Sequence, residues 1–194
     1  MRQGADRHAL AERKDDLYET PPEATRALLR VQPLPPRIWE PCAGRGAIAR
    51  ELAAAGHEVV AFDLVPHHGA DPGIVTPVDF LLERQAPEGC DCIVTNPPYK
   101  LADAFIRHGM TLVPTVIVLL RLMAIEGAGR SDLIDRHLVR VWAGIERLPA
   151  MHREGWMGNR LKGAGVPFAW FVFSAKPRPA GSPIELMRMS WREP

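Results

Sequence analysis

A doubly wound α/β sheet, mostly parallel, seven-stranded and covered by helices on both faces, is the fold that this sequence predicts. Three observations carry it. Runs rich in Val, Ile and Leu alternate along the chain with helical segments, the order of a parallel sheet linked by crossover helices. Those runs are nearly continuously apolar, as strands covered on both faces are. A glycine-bearing turn, "EPCAGRGAIA", separates the first strand from the helix after it, where open α/β sheets take their ligands.

Residues 1–17 have no clear apolar face and read as a disordered or loosely helical segment, ahead of a domain expected over 18–176. "TPPEATRALLRV" begins a helix in which Thr20 is expected to cap, Pro21 suits the first helical position and Glu23 completes a capping box. Pro33, Pro35 and Pro36 end it. "RIWEPCA" is then a strand, "GAIARELAAAG" a helix closed by Gly56, and "EVVAFDLV" a second strand. "IVTPVDF" reads as a weaker third strand disturbed by Pro77, and "DCIVTN" as the fourth. "LADAFIRHGMTL" is a helix, "TVIVLLRL" a fifth strand, "SDLIDRHLV" a helix with Ser131 as cap, and "VWAGIERL" a sixth strand. A glycine-rich loop spans 149–166, and "PFAWFVFSA" is the seventh strand, its Phe168, Trp170, Phe171 and Phe173 assigned to the core. Residues 177–194 open on prolines and are expected to run over the surface as a tail.

With 194 residues, 46% hydrophobic and 24% charged, the chain suits one domain with a substantial core. The net charge of +1 identifies no partner, but its distribution is uneven. Residues 1–120 hold 12 Lys/Arg against 16 Asp/Glu, and 121–194 hold 12 against 7. The basic excess includes Arg147, Arg153, Arg160, Lys162, Lys176 and Arg178, a phosphate-facing patch or a solvated surface. Three cysteines suit a reducing compartment. Cys90 and Cys92, expected on one strand face, have no second pair at metal-site spacing, so no metal is expected. The charged N-terminus lacks a signal-peptide core, and the run "VIVLLRLMAI", broken by Arg121, is too short to span a bilayer. A cytoplasmic location is the expectation.

In the glycine turn, Gly44, Gly46 and Ala49 fit G-x-G-x-x-G/A, and Asp63 follows the second strand. Glycines let the backbone turn sharply and approach a ligand, while a carboxylate at that strand end accepts from two ribose hydroxyls. The pattern serves NAD or S-adenosylmethionine alike. Two residues favour the latter. Glu40 stands where it would pair with an ammonium but repel a pyrophosphate, and Asp79 is placed to accept from an adenine amino group.

The fourth strand runs into Asn96-Pro97-Pro98-Tyr99. Two prolines cannot continue a ladder, but they hold carbonyls rigidly. The Asn96 side-chain oxygen and the Pro97 carbonyl would accept the two N–H bonds of an aromatic amine, freeing its lone pair for attack on a methyl donor. Tyr99 offers a π face for stacking, worth roughly 1–3 kcal/mol per base.

The ordered set "ETPPE", "EPCAGRG", "FD", "VDFLL" and "NPPY" resembles the γ-class DNA adenine-N6 methyltransferases, over about half of the chain. The resemblance implies a Rossmann-like class I methyltransferase, S-adenosylmethionine contacts at Tyr18, Thr20, Glu40, Cys42, Gly44, Gly46, Asp63, Asp79 and Phe80, and catalysis by Asn96, Pro97, Pro98 and Tyr99. DNA is the implied substrate. The family's restriction-linked members carry a separate target-recognition domain, for which this chain is too short, so sequence readout falls to its own loops or to a partner. A second pocket aromatic is expected between the sixth and seventh strands. His152, Trp156 and Phe168 are the candidates, Trp156 being preferred, with Arg153, Arg160 and Lys162 holding the DNA backbone. His67 and His68 are expected to face solvent. The rival readings are methylation of adenine in RNA or of glutamine in a protein, a non-catalytic cofactor-binding subunit, and, behind these, a dehydrogenase.

Overall fold

A computed structural model describes residues 18–151 and 164–192. The N-terminal segment 1–17 and His152, Arg153, Trp156, Arg160 and Lys162 lie outside the described residues. The elements are α1 (Pro22–Val31), β1 (Arg37–Glu40), α2 (Ala47–Ala54), β2 (Glu58–Ala61), β3 (Cys92–Thr95), α3 (Ala102–Leu112), β4 (Thr115–Arg121), α4 (Ser131–His137), β5 (Leu138–Gly144), β6 (Phe168–Ser174) and β7 (Glu185–Met189). Short 3₁₀ turns occupy Phe80–Leu82, Leu122–Ile125 and Ala128–Arg130.

The strands form one seven-stranded sheet in the order β2-β1-β3-β4-β6-β5-β7. Only β6 runs against the others, pairing antiparallel with β4 and β5. Strand alternation sorts the side chains onto two faces. On one, Ile38, Val94, Ile117, Leu119, Trp170 and Val172 pack with α1 and α2 through Leu28, Ile48 and Leu52. On the other, Trp39, Ile93, Val116, Val118, Phe171 and Phe173 pack with α3 and α4 through Phe105, Ile106 and Leu133. Phe168, Trp170, Phe171 and Phe173 are all buried. No helix among the described residues is long and apolar enough to cross a membrane.

Four local expectations are corrected. The expected third strand, "IVTPVDF", shrinks to the single bridge Phe62↔Val75. Pro77 has no N–H to extend a ladder, and the Asp79 carboxylate instead accepts the Leu81 amide at 3.0 Å to start the 3₁₀ turn. The seventh strand comes from the expected surface tail. Residues 177–184 form no regular element, but Glu185–Met189 pairs parallel with β5, and Met189 and Trp191 are buried. Glu146 fastens this end by accepting from the Ser190 hydroxyl at 2.7 Å and the Trp191 amide at 2.8 Å. Neither expected cap acts as one. Helix α1 starts at Pro22 without a side-chain cap, because its cap position falls on Pro21, expected as the first helical residue, and not on Thr20; the Ser131 hydroxyl donates back to the Ala128 carbonyl at 2.8 Å. Finally, Cys90 and Cys92 sit in opposite cores, since β3 begins only at Cys92.

Candidate active site

Strand β1 has β2 on one side and β3 on the other, so the chain leaves it in opposite directions. That reversal opens a crevice at the carboxyl ends of the strands. A cavity of about 210 Å³ lies there, lined by the turn after β1, the segment after β2, the 3₁₀ turn, the Asn96–Tyr99 turn and the stretch Tyr18–Thr20.

The first wall is built by local backbone. Gly44 has φ 57° and Gly46 φ 88° at the entrance to α2, a left-handed conformation that favours glycine. A Cβ on Gly46 would collide with the Asp71 carboxylate. Gly46 itself stays behind the cavity surface, which Gly44 reaches. The buried Asp63 carboxylate ties the turn to β2, accepting the Gly44 amide at 2.6 Å and the Val65 amide at 2.8 Å. A carboxylate offers about four acceptor sites, so the same oxygens can still receive hydroxyls.

Glu40 is 1% exposed, and its Oε2 has no hydrogen-bond partner among the described residues. Burial pushes its carboxyl well above the ordinary value, against an opposing hydrogen bond from Ala49. An acid buried at a cavity wall with an idle oxygen is arranged to meet a cation. Beside it, burial and then the charges of Asp63 and Glu40 push the Cys42 thiol far up, so Cys42 lines the cavity as an unreactive neutral group. Phe80 reaches the lining, but its ring is 2% exposed and packs on Trp39, Phe105 and His108 at centroid distances of 5.2, 4.9 and 5.0 Å. His67, expected to face solvent, is corrected: its Nε2 lies 3.5 Å from Asp63 Oδ1, and its side chain is 7% exposed.

The opposite wall is built by distant side chains. Asn96 Nδ2 lies 3.3 Å from the Tyr18 carbonyl, 3.1 Å from Thr20 Oγ1 and 3.8 Å from Met151 Sδ. A carbonyl can only accept, so the amide must turn its NH₂ towards Tyr18. Its Oδ1 is thereby left buried and without a hydrogen-bond partner among the described residues. The Pro97 carbonyl likewise accepts no hydrogen bond among the described residues. The Pro98 carbonyl accepts the Leu101 amide at 2.9 Å, which turns the chain into α3. The Tyr99 hydroxyl donates to Met151 Sδ at 3.4 Å. Its ring lies 5.7 Å from Tyr18 and 6.4 Å from Phe168, with the Arg121 guanidinium 5.0 Å from its centroid.

Comparison with solved structures shows what kind of sheet carries this crevice. The chain is similar to a candidate RNA methyltransferase from Pyrococcus horikoshii, with TM-score 0.55, 11% identity, and 89% of this chain and 92% of that one covered. It is also similar to a dimethyladenosine transferase from Plasmodium falciparum, with TM-score 0.52, 11% identity and coverage of 84% and 64%. The fold is that of class I methyltransferases. A third similar structure is the modification subunit of a candidate type I restriction enzyme from Vibrio vulnificus, with TM-score 0.52 and 14% identity. There the match covers 88% of this chain and 49% of that one, so this chain spans about half of its length. No protein-family model matches the sequence, and no curated protein is significantly similar to it.

Within this class I methyltransferase fold, Glu40, Cys42, Gly44, Asp63, Asp79, Phe80 and Asn96–Tyr99 converge on one cavity together with Tyr18 and Thr20, whereas Gly46 stays behind its surface. Glu19, Arg45, His67, Arg121 and Met151 escaped sequence reading. Glu19 and Arg45, both on the cavity lining, form an ion pair at 3.6 Å. Met151 carried no signal, since a lone methionine before a glycine-rich loop is ordinary. Arg121 did carry one: a charged residue closes the otherwise apolar run of β4. Among the described residues, no group of three or more His, Cys, Asp or Glu could hold a metal.

Proposed function

We propose that this protein transfers a methyl group from S-adenosylmethionine to the exocyclic N6 amine of adenine in DNA. One observation carries the reading: the buried Oδ1 of Asn96, which has no hydrogen-bond partner among the described residues, with its NH₂ anchored away from it. Such an orphan acceptor is costly unless a donor arrives to satisfy it. The donor that fits is an N–H group held at the end of β3, beside the cation-seeking Glu40.

The cavity suits S-adenosylmethionine, which carries an ammonium and a sulfonium. Glu19, Glu40, Asp63 and Asp79 line it against Arg45 and His67, a balance that would repel the pyrophosphate of a dinucleotide. Glu40 would hold the ammonium, Asp63 the ribose hydroxyls, and Asp79 the adenine amino group of the cofactor. When bound, S-adenosylmethionine would supply a methyl group on a sulfonium, with the electron pair of the C–S bond left to sulfur as the amine nitrogen takes the methyl. Asn96 Oδ1 and the Pro97 carbonyl accept the two N–H bonds of the target amine, drawing its lone pair out of the ring. Positive charge developing on that nitrogen meets two dipoles fixed beforehand. The surplus proton of the methylated amine then passes to water. Pro97 and Pro98 keep the carbonyls from rotating, and Tyr99 braces the base. An adenine in duplex DNA must leave the stack to reach Asn96, at a cost of about a few kcal/mol.

DNA is favoured by the "ETPPE" segment together with "NPPY", the pattern that resembles the γ-class enzymes. Arg153, Trp156, Arg160 and Lys162 lie outside the described residues, and the reading does not depend on them. The test is incubation of the full chain and labelled cofactor with DNA, tRNA and a glutamine-bearing protein substrate. Label appearing as N6-methyladenine in DNA is expected. Unlabelled DNA beside labelled RNA or protein would overturn the substrate, and no cofactor binding at all would overturn the whole reading.

A further inference from the structure

Arg121 closes β4, a strand whose other six residues are Thr, Val, Ile and Leu. Parallel pairing sets Thr95 of β3 against Val118 of β4, so Arg121 extends three residues beyond the level at which β3 ends. The Asn96–Tyr99 turn passes through that space, and the guanidinium comes to rest 5.0 Å from the Tyr99 centroid.

Three neighbouring arginines are already paired with carboxylates. Arg45 pairs with Glu19 at 3.6 Å, Arg130 with Asp103 at 3.3 Å, and Arg107 with Asp132 at 2.7 Å. Arg121 is exposed and pairs with no acidic side chain among the described residues, and Lys100, next to Tyr99, is likewise exposed without one. Charge is therefore divided along the crevice. Carboxylates line the cavity near β1 and β2, while Arg121 and Lys100, which pair with no acidic side chain among the described residues, lie beside Tyr99 just outside the lining. A guanidinium stacked on a ring keeps its in-plane N–H donors available, in a fork that matches a phosphate.

We propose that Arg121 is a positioning residue that grips a backbone phosphate beside the target base while bracing Tyr99. This rests on the nucleic-acid reading above and deepens it, because a glutamine side chain in a protein would bring no phosphate to this point.

The test is fluorescence anisotropy with labelled adenine-containing oligonucleotides across a salt titration, run beside initial-rate kinetics. Arg121→Ala and the more conservative Arg121→Gln are expected to weaken DNA binding about tenfold and to lower the salt slope by about one, with cofactor affinity unchanged. Arg121→Lys keeps the charge, and should retain the slope while kcat falls because the planar brace is lost. If Arg121→Gln lowers kcat but leaves the salt slope as in the unaltered protein, Arg121 only braces Tyr99 and the phosphate role is overturned. A slope change seen on RNA alone would keep the role of Arg121 and overturn DNA as substrate. An unaltered protein that binds neither polymer would remove both assignments.

Discussion

The two walls of the crevice are built on different principles. The Glu40–Asp63 wall is assembled within a short stretch of chain and held by backbone: glycine turns, amides on Asp63, and the start of α2. The Asn96–Tyr99 wall is held by side chains from afar, since Tyr18, Thr20 and Met151 lie 78, 76 and 55 residues from Asn96. A backbone-built wall makes a binding site that tolerates changes elsewhere in the protein. A clamped wall makes an oriented acceptor whose function depends on distant packing. Cofactor affinity and turnover should therefore separate under mutation.

The largest separation is expected at Asn96. Asn96→Ala removes the acceptor and should lower kcat on the order of 10²–10³-fold, as loss of one preorganised dipole does, while calorimetry finds cofactor affinity intact. An Asn96→Ala protein that methylates at the normal rate, with its fold unchanged, would falsify the amine-acceptor role.

Glu40→Gln is the counterpart on the other wall. Hydrogen bonds to charged groups are worth about 1.5–3 kcal/mol, so cofactor should bind roughly ten- to a hundredfold more weakly, with kcat at saturation little altered. The pH dependence has a defined sign. The folded-state pKa of Glu40 is raised above its ordinary value near 4.5 by burial. In the ligand-free protein its contribution to stability is full below that ordinary value and is lost as pH rises through the raised one. A cationic ligand favours the carboxylate, so binding within this window should release a proton and strengthen as pH increases. Calorimetry in two buffers of different ionisation enthalpy reads the proton directly, and Glu40→Gln should abolish the difference.

Thr20→Val sharpens the contrast at smaller amplitude. The resemblance assigns Thr20 to the cofactor, whereas the geometry gives its hydroxyl to Asn96. Losing one hydrogen bond of about 1 kcal/mol should reduce kcat about fivefold and leave cofactor affinity in place. A changed dissociation constant with normal kcat would return Thr20 to the cofactor wall. The smallest effect on turnover is expected at Gly46→Ala, whose cost falls on stability: the left-handed φ costs about 1–2 kcal/mol and the new Cβ displaces Asp71. Thermal unfolding should show the loss, with turnover following only as far as the turn deforms.

Legibility in the sequence divides along the same line. The apolar runs that became β3, β4 and β6 were readable because burial on both faces demands apolar side chains at nearly every position. β7 was not readable: "ELMRM" carries two charges, four of its five residues are exposed, and it joins an edge where one face needs no core. "IVTPVDF" looked more like a strand than β7 does, yet Pro77 denied it a ladder. His67 was assigned to solvent because nothing local shows that the turn after β2 folds it back onto Asp63.

By itself, the sequence determined the alternating sheet, the glycine turn with its acid at the next strand end, and the Asn96–Tyr99 corner. Each follows from residues within a few positions of one another, through backbone freedom, missing N–H groups and apolar demand. Only the tertiary structure decided which way the Asn96 amide points, what covers the Tyr99 ring, and which segment closes the sheet. Those outcomes depend on strand order, which brings residues more than fifty positions apart within hydrogen-bond reach, and no local propensity encodes that distance.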